Sequence, residues 1–427
     1  MLRRSARAAC FMVRATMVRR TYLRGAEQGD LLTATDTSAE GEPPREWPAE
    51  TSVLRVKPIT PLLRWPGGKS GELKRIRAHM PHTVRNYFEP FIGGGAVFLA
   101  IDDRVPAYLN DISKELVDFY AEVAIGAADL CRILQKIDDL WKYIEAVVEG
   151  EANKIVTAYR AFASGLNATF VQPVEDLFGQ FREKWASLLA FSIDIGVERL
   201  WPQIVESVSN KVFRMRKIEA EKGRFSNQDI VDNISGAIKS SIYCHIRRLY
   251  NGNDRPIFER SLRSAIFFFV REYSYAAMFR YNSSGEFNVP YGGISYNRKF
   301  MSEKLGHFKS EAVIGKFRGA WIEQMDFADF FLKRRPERGD FIFVDPPYDS
   351  EFSEYGNGRF CHDDHRRLAQ FLRETPANWM LVVKSTKFML DLYADNGFTL
   401  RAASKKYVWT IKERNVRDAI HLMITNY

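Results

Sequence analysis

The sequence contains little cysteine and no long apolar segment. Its four cysteines, Cys10, Cys131, Cys244 and Cys361, are scattered over 427 residues without the close spacing that metal ligands show. This scarcity excludes a disulfide framework and favours a reducing compartment. No apolar run approaches the length of a membrane span, which is about 20 residues, so no membrane-spanning helix is predicted. Neither a metal nor a membrane is therefore expected among the partners.

The charge balance is moderately basic. The chain has 62 lysines and arginines against 53 acids, which gives a formal charge of +9 at pH 7. A basic excess suits a polyanionic partner such as nucleic acid, but it also arises as plain solubility. With 46% hydrophobic residues, the chain can bury a sizeable core and has room for two or three domains.

Residues 1–57 are predicted to form a poorly ordered tail. The first 26 residues contain seven arginines and no acid, and the following stretch is acidic and rich in Thr, Ser, Gly and Pro. An arginine-rich, acid-free start is typical of an organelle transit peptide. It is equally consistent with an upstream extension of the reading frame, with Met12 or Met17 as the true start. The sequence leaves both interpretations open.

The most informative stretch is Phe341–Tyr348, in which four apolar, β-favouring residues run into Asp-Pro-Pro-Tyr. A continuous apolar run that ends in a breaker is typical of a strand buried on both faces of a parallel sheet. The two prolines have fixed φ and lack N–H donors, so the turn is stiff and its carbonyls stay free. The carboxyl end of such a strand is where open α/β sheets bind ligands.

This turn suits chemistry on the exocyclic amine of a nucleobase. Such a nitrogen is a poor nucleophile because its lone pair is conjugated into the ring. If Asp345 and the Pro346 carbonyl accept its two hydrogens, the lone pair can point at an electrophile. Pro347 completes the stiff turn, and Tyr348 would stack on the base. The alternative interpretation is an ordinary strand-to-turn junction that ends in a surface tyrosine.

A glycine turn near the start of the ordered chain is a candidate donor site. In the stretch Leu62–Ser70 we interpret Trp65 and Lys69 as contacts to a nucleoside-bearing ligand, with the lysine meeting a carboxylate as a point charge. The ending Gly-Lys-Ser also occurs in phosphate-binding loops. Such a loop needs a glycine five positions before Gly68, where this chain has Leu63, so that interpretation is rejected.

A second glycine turn follows. The stretch Tyr87–Leu99 predicts a strand, a turn and a helix start, in which Gly93 and Gly95 let the backbone approach a ligand and Phe91 packs near it. The next predicted strand starts at Ala107 and ends at Asp111. An acid at this place accepts hydrogen bonds from ribose hydroxyls, although it could also cap the helix that follows.

Several of these motifs together resemble those of Dam-type, D12-class DNA adenine N6-methyltransferases. The resemblance covers roughly residues 61–125 and 265–427, in that family's α arrangement, and is carried by Leu63–Lys69, Phe88–Phe98, Leu109–Ile112, Phe279–Gly292 and Asp345–Tyr348. It implies S-adenosylmethionine (SAM) as methyl donor and double-stranded DNA as substrate. It also implies that Trp65, Lys69, Asp111 and Asp345 bind SAM. A cognate restriction endonuclease could be a partner. The enzyme is expected to be a monomer in the bacterial cytoplasm.

The middle of the chain is predicted to be an insert that recognises the target. Its start is one long amphipathic helix with apolar residues at three-four spacing, namely Leu130, Ile133, Leu134, Ile137, Leu140, Trp141, Ile144, Val147 and Val148, which we assign to the core. A basic run follows, and within an insert that holds DNA it favours phosphate contacts over a plain solvated face; it comprises Lys211, Arg214, Arg216, Lys217, Lys222, Arg224, Arg247, Arg248 and Arg255.

The stretch Arg271–Tyr296 predicts a β-hairpin, because Tyr273, Tyr275, Phe279 and Tyr281 alternate with smaller residues before a Ser-Ser-Gly turn. By resemblance the hairpin lies against DNA beside the flipped base, and Arg280 matches an arginine that reads guanine. The other predicted DNA contacts are Tyr275, Met278 and Asn282. One departure concerns Ala276-Ala277, where many relatives carry Asn-Gly, so a side chain that helps to fill the emptied stack is missing.

The last segment returns to the sheet. Residues 349–360 are interpreted as a loop that closes over the bound base. The stretch Cys361–His365 looks like a metal cluster, but a helix cap at Asp363 or Asp364 is the better interpretation. Buried strands are predicted at Trp379–Val383, Phe398–Leu400 and Ala419–Ile424, the last of them reversed. A basic connection could also meet DNA, through Lys405, Lys406, Lys412, Arg414 and Arg417.

The predicted fold is therefore α/β, a Rossmann-like SAM-dependent methyltransferase sheet with a helical plus β-hairpin target-recognition insert. The predicted divisions are a tail (1–57), a SAM-binding part (58–125), the insert (126–325) and a catalytic part (326–427). The predicted function is methyl transfer from SAM to N6 of an adenine flipped out of duplex DNA. Two alternatives stay open, an RNA or protein amide methyltransferase of the same fold and a catalytically silent DNA-binding protein.

Overall fold

The computed structural model describes residues 53–166, 169–189, 199–252, 259–348, 360–394, 397–406 and 418–427. These ranges contain a seven-stranded sheet of order β3-β2-β1-β4-β5-β7-β6. The neighbours from β3 to β5 are parallel, and β7 runs antiparallel to both β5 and β6. The strands are β1 (Tyr87–Glu89), β2 (Ala107–Asn110), β3 (Ala320–Glu323), β4 (Phe341–Val344), β5 (Asn378–Lys384), β6 (Thr399–Lys406) and β7 (Asp418–Thr425). The predicted Rossmann-like sheet with a reversed strand is confirmed.

Strand β4 lies at the centre of the sheet and is buried along its whole length. Successive side chains of a strand point to opposite faces. Accordingly Ile342 and Val344 pack on one face against helices α12 (Phe327–Arg334), α13 (His362–Glu374) and α14 (Lys387–Tyr393). Phe341 and Phe343 pack on the other face, in a core shared with the helical insert. The two-sided burial explains why the strand reads as a continuous apolar run.

A long helical excursion separates β2 from β3. It begins with α2 (Lys114–Ala124) and α3 (Ala128–Gly150), and every residue of the predicted apolar stripe on α3 is buried. The assignment of that stripe to the core is confirmed. The short helix α1 (Leu73–His79) precedes β1, and the excursion continues through α4 (Ala152–Ala163), α5 (Val171–Phe178), α6 (Arg182–Leu189), α7 (Leu200–Lys222), α8 (Asn227–Asn251), α9 (Arg260–Tyr273), α10 (Ser302–Phe308) and α11 (Glu311–Arg318).

The excursion also supplies part of the sheet layer. Helix α2 packs against α9 and α11, and the chain then enters β3, which pairs in parallel with β2. The sheet therefore takes its edge strand from residues within the predicted insert 126–325. The side chain of Trp321 on β3 stacks on Tyr108 of β2, which stacks on Phe88 of β1, with ring centroids 4.8 and 4.9 Å apart. This ladder ties the returning chain to the first two strands.

The predicted hairpin over Arg271–Tyr296 is wrong in its first half. Tyr273 ends helix α9, and Tyr275 begins a single 3₁₀ turn. A short hairpin remains, in which Asn288 N–H donates to the Arg280 carbonyl and Asn282 N–H to the Glu286 carbonyl, and Ser274 forms an isolated antiparallel bridge with Tyr291. Tyr273 also lies four positions after Phe269 and stacks on it within α9, so the alternation did not by itself separate strand from helix here.

The chain is tied to the core earlier than predicted. Val53 N–H donates to the His82 carbonyl, and Arg55 N–H donates to the Ala100 carbonyl, although both residues fall in the predicted tail. Within the described ranges, no helix is both long and apolar enough to cross a bilayer. Other predictions lie outside the described residues: the tail before Val53, the loop 349–359, and Arg255, Lys412, Arg414 and Arg417.

Candidate active site

Carboxylates gather where β1, β2 and β4 end. Glu89 is the last residue of β1, Asp111 directly follows β2, and Asp345 directly follows β4. Strands β1 and β4 are neighbours. The strands that follow β1 extend the sheet toward one edge, and those that follow β4 extend it toward the other edge. Such a switch point leaves a crevice outside the carboxyl ends of the strands, where open α/β sheets bind ligands. The topology therefore places these three carboxylates at one opening.

A cavity of about 650 Å³ lies at this opening. This volume falls within the range of small-molecule sites. The structure brings together in its wall all ten residues predicted for catalysis or donor binding, namely Trp65, Lys69, Phe91, Gly93, Gly95, Asp111, Asp345, Pro346, Pro347 and Tyr348. Residues almost 280 positions apart in the chain thus face one space, as the motif order had indicated.

Lys69 follows the first glycine turn and pairs with the Asp345–Tyr348 turn, which we call the catalytic turn. Its side chain is 2% exposed, and Nζ donates to Asp345 Oδ1 at 2.5 Å, to the Gly67 carbonyl at 2.8 Å and to the Tyr348 hydroxyl at 2.9 Å. The three donors of the ammonium are therefore all used within the protein. The structure thus pairs the lysine with Asp345, and its contact with a carboxylate of the ligand stays a prediction.

Asp111 is buried beside the first glycine turn. Its Oδ2 accepts from Gly93 N–H and its Oδ1 from Ser113 N–H, both at 3.0 Å. Burial raises the pKa of this carboxyl to about 6, although the backbone donors lower it. Helix α2 is capped by Ser113, whose hydroxyl accepts from Leu116 N–H, so capping does not require the acid. Asp111 is therefore a desolvated acceptor at the cavity wall.

The glycines of the turn make room for Trp65 as well as for a ligand. A Cβ on Gly93 would lie 2.7 Å from Trp65 Cδ1, and one on Gly94 would lie 3.2 Å from Trp65 Cβ. Gly93 and Gly95 also have φ of +48° and +67°, which disfavour any side chain. The indole packs edge-on against Phe279 of the insert, with centroids 4.8 Å apart. Trp65 thus joins the donor turn to the insert.

Phe91 forms an aromatic end of the cavity. Its ring centroid lies 5.5 Å from that of Phe327 and 5.5 Å from that of Phe360. Phe360 packs in turn on the ring of His365, at 4.7 Å. Three aromatic rings around one pocket suit a flat apolar ligand group, because such rings stack or pack edge to face.

The sequence analysis missed Glu89 and Tyr250. The Glu89 carboxyl accepts from the Tyr87 hydroxyl at 2.7 Å, and burial raises its pKa well above the ordinary value. The available signal was an acid that closes a buried strand, beside the glycine turn. Tyr250 reaches the cavity from helix α8, and its hydroxyl lies 3.4 Å from that of Tyr281. No local motif indicates that contact, which depends on how the insert folds back.

The predicted DNA contacts lie on the turn and hairpin beside the cavity. Arg280 donates to Asn288 through Nε at 2.7 Å, and half of the Tyr275 surface is exposed. The Asn282 side chain accepts from the N–H groups of Ser284 and Glu286, so it holds the hairpin turn, and its contact with DNA stays a prediction. Met278 is half-buried against the core.

Ala276 and Ala277 both adopt left-handed backbone, with φ of +54° and +51°. Such φ values favour Gly and Asn, the residues that many relatives carry here. The chain therefore keeps the backbone of the turn while it lacks the residues that adopt it most easily. The left-handed backbone costs about 1 to 2 kcal/mol for each alanine.

Other predicted features are resolved more simply. The basic residues Arg214, Lys217 and Lys222 are exposed on α7, whereas Arg247 donates to the Val289 carbonyl at 2.8 Å; contact of the basic run with phosphates stays a prediction. Cys361 and Asp364 form a capping box at the start of α13, which confirms the cap interpretation. Among the described residues no group of three His, Cys, Asp or Glu side chains could hold a metal ion.

A mostly parallel sheet of Rossmann type, with a desolvated acid after β2 and an Asp-Pro-Pro-Tyr turn after β4, defines a methyltransferase. Comparison with known proteins agrees. The model of the D12 class N6 adenine-specific DNA methyltransferases matches residues 65–161 and 215–410. The chain therefore belongs to the D12 class of N6 adenine-specific DNA methyltransferases.

Curated relatives align with most of the chain. The type II methyltransferase M.CviBI of Paramecium bursaria Chlorella virus NC1A is 24% identical over 373 residues, which cover 86% of this chain and 100% of the viral protein. The type II methyltransferase M.MjaIII of Methanocaldococcus jannaschii is 22% identical, with 86% and 99% covered. The DNA adenine methylase of Vibrio cholerae is 23% identical, with 74% and 76% covered. The resemblance found in the motifs is confirmed.

Proposed function

We propose that this DNA adenine methyltransferase uses SAM as its methyl donor and acts on an adenine flipped out of duplex DNA. The observation that carries the proposal is the single cavity shared by Asp111 and the Asp345–Tyr348 turn. An acceptor for a ribose and an acceptor for an amine thereby face the same space. A methyl group can pass directly between two ligands held so close together, without a covalent enzyme intermediate.

The residues of the cavity fit SAM. Asp111 is a buried carboxylate with backbone donors on both oxygens, and a carboxylate has further lone pairs for two ribose hydroxyls. The rings of Phe91, Phe327 and Phe360 provide an apolar end for the adenine moiety. Glu89 is an additional buried acceptor near Asp345. When bound, SAM supplies an electrophilic methyl group.

The catalytic turn prepares the target amine. Asp345 and the Pro346 carbonyl accept the two N6 hydrogens, so that the nitrogen lone pair is directed away from the ring and toward the donor side of the cavity. Pro347 lacks an N–H and holds the turn in shape. Tyr348 stacks on the flipped base and fixes its plane. Asp345 can take up the proton that N6 loses, since no other group needs to move for it to do so.

Lys69 holds the acid in its working state. Its ammonium donates to Asp345 Oδ1 at 2.5 Å. An adjacent cation favours the ionised carboxylate, which is the form that accepts hydrogen bonds. The same ammonium donates to the Tyr348 hydroxyl, so one side chain orients both the amine acceptor and the stacking ring. We therefore assign Lys69 to positioning within the active site.

The insert delivers the base. Phe279 and Tyr281 line the cavity, and their neighbours Tyr275, Met278, Arg280 and Asn282 lie on the same turn and hairpin. A duplex that contacts this segment would have its flipped adenine directly over the catalytic turn. Arg280 is the proposed reader of guanine, because a guanidinium can donate to both major-groove acceptors of that base.

A methyl-transfer assay with labelled SAM and mixed-sequence duplex DNA tests the proposal. The wild-type protein should label DNA, and Asp345→Ala should lose at least about a hundredfold in rate, because the amine acceptor is removed. The matched control is Asp363→Ala, which removes an exposed acid on α13 that pairs only with Arg366 among the ion pairs described. It should keep the wild-type rate.

Two results would contradict the proposal. Label in RNA or polypeptide, but not in DNA, would assign another substrate to the same fold. Retention of the wild-type rate by Asp345→Ala would remove the catalytic turn from the reaction.

A further inference from the structure

A buried polar pair lies directly behind the catalytic turn. His421 on the reversed strand β7 is fully buried, and its Nδ1 lies 2.9 Å from Oε2 of Glu72, which is also buried. A carboxylate can only accept, so Nδ1 carries the proton. The same Glu72 oxygen accepts from Arg75 at 3.1 Å. The pair joins the segment between Lys69 and helix α1 to strand β7.

The imidazole of His421 touches the stacking tyrosine. The ring centroids of His421 and Tyr348 lie 5.3 Å apart with an interplanar angle of 81°, which is an edge-to-face contact. Lys69 donates to the hydroxyl of the same tyrosine, and a Cβ on Gly67 would lie 3.9 Å from that hydroxyl. The Tyr348 ring is therefore held at its hydroxyl end by the donor turn and on its ring by β7.

We propose that His421, oriented by Glu72, is a positioning residue that sets the plane of Tyr348 for stacking on the target adenine. The inference rests on the proposed function, and it adds a role for the reversed strand that the family motifs do not include. Neither residue lines the cavity or touches the reacting atoms. Both act through the tyrosine.

The physical reason is that a stacking ring must present one fixed face. Tyr348 follows two prolines, which fix the backbone but leave the two side-chain torsions of the tyrosine free. A wall behind the ring removes that freedom before the base arrives, and small errors in such placement cost about a hundredfold in rate. The hydrogen bond to Glu72 restrains rotation of the imidazole, because turning the ring would break the 2.9 Å contact of Nδ1 with the carboxylate.

Stability alone gives no reason for a polar pair at this place. Next along the same face of β7, Met423 is packed in the apolar core. A buried charged pair is often no more stabilising than apolar residues of similar volume. The orientation that a hydrogen bond imposes on a ring is what an apolar pair does not provide. That difference separates positioning from packing and makes it testable.

The test compares turnover with binding in four proteins. His421→Ala removes the wall behind Tyr348, and we expect kcat for DNA methylation to fall about tenfold or more, with the Kd of SAM within about twofold of wild type. Glu72→Leu/His421→Phe keeps an aromatic ring against Tyr348 but removes the hydrogen bond that orients it, so its kcat should stay about tenfold below wild type while its melting temperature stays close to that of wild type. The matched control is Thr425→Val, on the same face of β7, and it should turn over at the wild-type rate.

Melting temperatures of all four proteins accompany the rates. If His421→Ala keeps a kcat within about threefold of wild type, or if the double variant turns over within about threefold of wild type, the inference is overturned. The wild-type rate is the reference that separates the two claims. An inactive wild-type protein contradicts the proposed function, whereas an active one whose variants turn over equally contradicts only the role of His421.

Discussion

The titration of Asp111 gives the sharpest quantitative prediction. Burial raises the pKa of this carboxyl from its ordinary 3.8 to about 6 in the unliganded protein. Ribose hydroxyls donate hydrogen bonds to the ionised form, so SAM should bind mainly to that form. With a pKa near 6, the ionised fraction is about nine-tenths at pH 7 and about one-tenth at pH 5. The affinity for SAM should therefore fall roughly tenfold between pH 7 and pH 5.

The same titration affects stability with a defined sign. The folded protein holds this proton more tightly than the unfolded chain, so the contribution of Asp111 to the unfolding free energy is greatest below pH 4 and falls as the pH rises to about 6. A difference of about two pKa units corresponds to at most roughly 3 kcal/mol. Bound SAM should offset part of this loss, since it stabilises the ionised carboxylate.

Isothermal titration calorimetry of SAM at pH 5, 6 and 7 measures the effect. The control is Asp111→Asn, which cannot ionise and should bind more weakly at pH 7 but with a much smaller pH dependence. Subtracting the pH dependence of the SAM affinity of Asp111→Asn from that of the wild-type protein removes the contributions of SAM itself and of Glu89. An affinity of the wild-type protein that does not change between pH 5 and pH 7, or an equal pH dependence in Asp111→Asn, would refute the reasoning.

Four further predictions follow from the structure. Lys69→Met should lower kcat by about a hundredfold, because Asp345 and Tyr348 lose their shared donor. Rapid-quench kinetics with saturating SAM will show whether the methyl-transfer step itself is slow. Ala277→Gly should raise the unfolding free energy by up to about 1 kcal/mol, because φ is +51°; urea denaturation measures it, and a loss of stability would contradict the strain argument. Arg280→Ala should relax selection of one base, seen by sequencing methylated random duplexes, while unchanged selectivity would exclude it as a reader. Lys239→Ala should destabilise the insert by about 1 to 3 kcal/mol in thermal unfolding, because the buried Glu145 loses its 2.6 Å partner and keeps only Arg298 and Ser235 among the partners described; an unchanged melting temperature would show that the pair is dispensable.

Local chemistry made much of the sheet and site predictable. The apolar run before Asp345, the acid after β2 and the glycine turn each require a particular backbone environment, and each is found there. The long stripe on α3 was equally clear, because its period is sustained over the whole helix. Features that depend on one segment's own pattern were therefore predicted well.

Features that depend on distant pairings were not. The contact of Lys69 with Asp345, 276 positions away, was not predicted, because nothing near the lysine in sequence indicates it. The pairing of His421 with Glu72 has the same character. The start of the hairpin was misplaced because Tyr273 fits an alternating strand and also the apolar face of a helix, four positions after Phe269. Tertiary packing decides such cases, and a single sequence carries little of it.

The central claim is that the Asp345 turn methylates adenine N6 in DNA. Single-molecule sequencing of DNA from cells that express the wild-type protein or Asp345→Ala tests it most directly, since it reports the modified base and its context. The account predicts N6-methyladenine at a defined sequence with the wild-type protein and none above background with the variant. The absence of modified adenine with an expressed, folded wild-type protein, or equal modification by the variant, would contradict it.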